Sequence, residues 1–135
     1  MSQASDYLEG EIVKHVFRTG SFTKPTVLAV ALFTAAPGEA GGGTETTYTN
    51  YVRIDRPPLD ANWAAVSAGN GQTSNVAVIT FGAPGSTATL THMAILDATS
   101  AGNFLVYGAL TTGRTVNNGD AAPNFAGGAL VVTVA

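Results

Sequence analysis

Apolar positions recur along this chain with two different periods. Over residues 5–17 they follow helical spacing, with Leu8, Ile12, Val13, Val16 and Phe17 on one stripe and Ser5 standing where an N-cap belongs. Asp6 near the start, and Lys14, His15 and Arg18 near the end, complement the helix macrodipole; Thr19 and Gly20 stop the run. A helix over about 5–17 is therefore predicted. Its stripe can be buried on the protein's own sheet or on a neighbouring chain.

From Thr26 the period falls to two. Residues 26–34 place Val27, Ala29, Ala31 and Phe33 on one side and Leu28, Val30 and Leu32 on the other, so both faces are apolar and the strand belongs at the centre of a sheet. Pro37 and the triplet Gly41, Gly42 and Gly43 mark a flexible loop over about 36–46 that joins neither helix nor ladder. A strand follows over 48–55, ended by Pro57 and Pro58 because proline has no amide to give a ladder. Residues 76–81, 90–96, 104–110, 114–117 and 129–134 read as further strands separated by turn formers, with Asn118 and Gly119 suited to a hairpin turn. The prediction is a mainly β fold: a single antiparallel β-sandwich or barrel with one N-terminal α-helix. No repeat or boundary divides the chain, so residues 1–135 are expected to form one domain.

Composition narrows the function. Only 11% of the 135 residues are charged, where about 25% is usual, and the polar positions are mostly hydroxyls and amides. A neutral surface of that kind suits a protein packed among other subunits. Six basic against nine acidic residues, net −3, is not the charge of a nucleic-acid binder. The absence of cysteine removes disulfides, thiolate nucleophiles and Cys-ligated zinc. No apolar run reaches the roughly 20 residues that cross a bilayer, and the acidic start does not read as a signal peptide. Neither a membrane nor a nucleic-acid partner is expected.

Candidate chemistry is sparse. His92 sits mid-strand on the face expected to carry Leu90, Ala94 and Leu96, and reads as a partly buried histidine with a hydrogen-bond partner; His15 reads as a solvated helix-end residue. Asp97, Thr99 and Asn103 could offer oxygens to a cation, but with one carboxylate and the wrong spacing for a calcium loop. No Gly-x-Ser-x-Gly elbow is present. We therefore expect no enzyme, no cofactor and no metal. Charge is concentrated instead at Arg53, Asp55 and Arg56 beside Tyr51, which reads either as an edge ion pair between Arg53 and Asp55 or as an intersubunit anchor.

Several segments, in order, resemble one group of proteins. Tyr7-Leu8, the strand running into Ala35-Ala36-Pro37-Gly38-Glu39, Gly43-Thr44-Glu45, Tyr51-Val52-Arg53, Asn62-Trp63, Ile79-Thr80-Phe81, His92-Met93-Ala94-Ile95-Leu96-Asp97, Leu105-Val106-Tyr107-Gly108 and Val116-Asn117-Asn118-Gly119-Asp120 are similar to small tailed-bacteriophage virion structural proteins. The resemblance implies a non-enzymatic virion component assembled in the bacterial host cytoplasm. Its leading form is a capsid decoration protein that cements the head; the alternative is a tail-fibre or baseplate element contacting the host surface. Either implies a homo-oligomer, a trimer as first expectation, whose partners are the major capsid protein or tail proteins. Tyr7, Glu39, Glu45, Tyr51, Arg53 and Arg56 are the candidate subunit contacts, and Tyr48 and Trp63 the candidate glycan contacts of the tail reading.

Overall fold

The computed structural model describes residues 2–67 and 69–134. Its elements in chain order are β1 (Ser2–Ala4), α1 (Asp6–Phe17), β2 (Ala29–Ala35), β3 (Thr44–Glu45), β4 (Ile54–Asp55), β5 (Gln72–Ser74), β6 (Ile79–Thr80), β7 (Ala88–Leu96), β8 (Phe104–Val116), β9 (Asn124–Phe125) and β10 (Val131–Thr133). The main sheet is antiparallel in the order β1-β8-β7-β2-β3, with β4 pairing the same edge of β2 further along. Two small ladders, β5 with β10 and β6 with β9, supply residues that pack on one face of that sheet. The result is the expected mainly β sandwich with a single helix at its N-terminus.

Strand β2 is central, as its two apolar faces require. Val30 and Leu32 enter the larger core with Ile79, Phe81, Met93 and Ile95, while Ala31 and Phe33 face the other way onto Ala94, Leu96 and Tyr107. Burying each of Val30, Leu32 and Phe33 is worth roughly 1.5–3 kcal/mol, so this one strand anchors both faces of the sheet.

The Gly-rich segment departs from expectation. It is not a loop outside any ladder: Gly38 and Gly41 exchange backbone hydrogen bonds, and Thr44–Glu45 returns as β3 to pair β2. Gly41, at φ 90°, lies against the Phe104 ring, and a Cβ there would sit 2.9 Å from it. The glycine is needed because Phe104, tilted over Phe33 at 5.8 Å between ring centroids, already fills that space.

Strand bounds also shift. The expected 48–55 strand shrinks to Ile54–Asp55, and the two strands expected over 104–117 are one, Phe104–Val116, with the anticipated turn at 111–113 absorbed as an irregularity. The short β1, β3, β5 and β9 were not expected, since two or three residues carry no readable period. Asn118 and Gly119 do form a turn, with Gly119 at φ 88°, but β8 and β9 on either side do not pair, so it is no hairpin. Between Leu90↔Arg114 and His92↔Ala109 the register slips, and Leu90 joins Met93 and Ile95 in the larger core. The expected shared face of Leu90 with His92, Ala94 and Leu96 is thus broken by a bulge.

Candidate contact site

Ser5 caps α1 as read from the sequence: its hydroxyl accepts the Leu8 amide at 3.2 Å and donates to the Phe104 carbonyl, tying the helix start to β8. Leu8 packs against the core, and no later residue of the stripe does so among the described residues. Val13, Val16 and Phe17 are 51%, 61% and 79% exposed. Burial of the stripe on the protein's own sheet is therefore corrected, because only the first turn reaches the sheet. The chain then folds back along the helix, the Phe22 amide donating to His15 Nδ1 at 3.2 Å and Lys24 Nζ reaching the Pro58 carbonyl at 3.3 Å. The far end of α1 and the turn after it form an arm with an apolar tip.

An open apolar groove of about 340 Å³ lies on the same molecule, walled by Leu28, Leu59, Trp63, Val66 and Val134 over Ile95. Leu59, Val66 and Val134 are exposed there. Trp63 is held in place by its Nε1, which donates to the Arg56 carbonyl at 3.0 Å. Asp60 is the one charged side chain on the groove wall among the described residues. A second cleft, of about 520 Å³ and more polar, lies between the slipped part of β8 and residues 123–131.

Glu45, Tyr51 and Arg53 are brought together, but they point inward. Arg53 makes a bidentate pair with Glu45, Nη2 to Oε2 at 2.7 Å and Nε to Oε1 at 2.8 Å, and its Nη1 donates to the carbonyls of Ala98 and Ala101. The expected edge pair with Asp55 does not form; the Asp55 carboxylate accepts the Leu28 amide instead. Tyr51 donates to Glu45 Oε1 at 2.8 Å. Burial pushes the Glu45 carboxyl up, but the bonds from Arg53 and Tyr51 and the Arg53 charge outweigh it and leave it below its ordinary value. Tyr51 is driven far above the ordinary phenol value, first by burial and then by Glu45. Glu45 holds Arg53 charged. The cluster locks β3 to the segment before β4 and to the β7–β8 loop.

The other candidates are scattered. Arg56 spends its guanidinium on the carbonyls of Asp55 and Val78. Tyr7 and Glu39 are exposed neighbours, joined by the bond from the Asp6 amide to the Glu39 carbonyl. Tyr48 is only 3% exposed and donates to the Gly82 carbonyl, so its expected role as a glycan contact is corrected: no face of its ring is free. Asp97 gives both carboxylate oxygens to Asn103, closing a turn. His92 is half-buried with Nδ1 2.8 Å from Thr91 Oγ1, and His15 is exposed, both as read. Sequence reasoning passed over the groove residues Leu59 and Val66. Their signal was there: isolated apolar residues in a segment of proline and small residues, with no periodic partner to explain them.

The surfaces so assembled carry apolar side chains, hydroxyls and amides suited to noncovalent association. The family described as podophage GP4 fiber I protein gp80 matches residues 3–133. The chain belongs to this family. It is a bacteriophage virion structural protein, as the segment-by-segment resemblance implied, and all of those segments lie inside the matched region. No curated protein matches it. In this fibre-family protein the exposed arm and the groove lie within the matched region, as do Glu45, Tyr51 and Arg53.

Proposed function

We propose that this protein is a subunit of a phage tail fibre that acts without catalysis, through contacts with other virion proteins and with the host surface. The observation that carries this reading is the match of residues 3–133 to a family described as a fiber protein. The low charge and the exposed apolar arm and groove support it, since they suit a surface that works against neighbours. Many weak contacts repeated along an assembly reach an avidity that none has alone. Head decoration, the leading expectation from the sequence, has no separate observation in its favour. Of the two aromatics considered for glycan contact, only Trp63 remains accessible.

Gold-labelled antibody on purified virions tests the assignment, together with the copy number of the protein relative to the major capsid protein by quantitative mass spectrometry. Label at the tail with a handful of copies per particle is expected. Label over the head with hundreds of copies would overturn the fibre reading in favour of capsid decoration.

A further inference from the structure

We propose that the α1 arm of one copy docks head-to-tail into the apolar groove of a second copy of this chain. Phe17 would be the inserted side chain, and Arg18 would pair with Asp60. Four observations converge on this partner. The arm ends in Val13, Val16 and Phe17, each more than half exposed among the described residues. The groove walled by Leu59, Trp63, Val66 and Val134 is open and apolar, and Phe17 at 79% exposure is not seated in its own. Arg18 directly follows Phe17, and its guanidinium is in no salt bridge among the described residues. Asp60, the one charged side chain on the groove wall, likewise has none.

Knob and socket are thus complementary in both polarity and charge. Lys14 is already paired with Glu11 at 2.7 Å, so at the end of α1, among the described residues, Arg18 is left to pair across the contact. Leu8 at the start of α1 borders the groove, but Val16, Phe17 and Arg18 at its tip do not line it, so the contact is heterologous: each copy offers a tip and a groove and receives the other's. Seating Phe17 would remove the largest exposed apolar side chain of the arm from water, and desolvation would strengthen the Arg18 to Asp60 attraction at the rim. The proposal deepens the fibre reading, which gives it its setting.

The test uses the purified full-length chain. Light scattering coupled to size exclusion is expected to give a multiple of the 13.7 kDa chain mass. Phe17→Ser and Val66→Ser are each expected to return it to the monomer, with circular dichroism unchanged because both side chains are exposed. Arg18→Asp and Asp60→Arg are each expected to weaken association about tenfold, and the double variant Arg18→Asp/Asp60→Arg to restore it.

Since the natural chain has no cysteine, Arg18→Cys/Asp60→Cys, which keeps Phe17 in place, should give reducible cross-links between chains while neither single variant does. A wild-type monomer at all concentrations, association that survives Phe17→Ser, a double reversal that fails to rescue, or a cross-link confined within one chain each overturns the proposal. A monomer whose label still marks the tail defeats this inference alone, whereas a stable oligomer labelled over the head defeats the fibre reading alone.

Discussion

The Tyr51 hydroxyl stands 3.0 Å from the Leu32 amide, in the place a neighbouring strand's carbonyl would occupy. On this edge β2 pairs β3 at Phe33 and Ala35, and β4 at Ala29 and Val30, so Leu32 falls in the gap between two short partners. A side chain completes the ladder there: the phenol accepts from Leu32 and donates onward to Glu45. The ring itself lies 5.4 Å from Tyr48 and 6.1 Å from Phe81, which fixes where the hydroxyl points.

Tyr51→Phe keeps the ring packing and removes only that hydroxyl. It leaves the Leu32 amide without its acceptor and takes one donor from Glu45, so a loss of about 1–3 kcal/mol is expected. Urea unfolding with an unchanged slope should report it, and a change under about 0.5 kcal/mol would show that water replaces the phenol.

Acid should weaken the Glu45 to Arg53 pair. The folded-state value of Glu45 lies below the ordinary 4.5, so its stabilising contribution is fully present above that value. It is lost as pH falls through the lower folded-state value. Glu45→Gln is expected to cost about 1–2 kcal/mol at pH 7, the pair being partly exposed, and the gap to the natural protein should close towards pH 3. Melting curves recorded from pH 7 to pH 3 check this; parallel curves for the two proteins would count against it.

Asn75 is fully buried and holds a turn from inside. Its Oδ1 accepts the Leu130 amide at 2.8 Å, and its Nδ2 donates to the Ala77 and Ala126 carbonyls, both at 2.8 Å. Asn75→Ala strands the buried Leu130 amide and takes the donor from two part-buried carbonyls, and a loss of about 2–3 kcal/mol is expected. Asn75→Asp should cost more, because a carboxylate would face two carbonyls. Hydrogen exchange at the Leu130 amide is the local readout, with faster exchange expected in both variants.

Gly41→Ala tests the packing of the β2–β3 hairpin on the second face of the sheet. The added methyl would meet the Phe104 ring at 2.9 Å, at a backbone angle that side chains rarely adopt. A destabilisation of about 1–3 kcal/mol is expected. Phe104→Leu in the same background should recover part of it by clearing space, which thermal melts of the single and double variants would reveal.

Local order was legible in the letters of the chain. Ser5 capping, the acidic start and basic end of α1, and the doubly apolar Ala29–Ala35 strand all depend on residues within a few positions of one another, so spacing alone exposes them. The ordered likeness of Tyr7-Leu8 through Val116-Asn117-Asn118-Gly119-Asp120 to phage virion proteins was legible for the same reason. Partner choice was not. Arg53 takes Glu45 rather than Asp55 because β3 returns beside it through the Gly41 turn, and Leu90 changes face because β8 carries extra residues opposite β7. Nor could spacing say that α1 reaches the sheet only as far as Leu8: an apolar stripe states that a surface wants covering, while the path of the chain around it decides whether its own sheet or another molecule does so.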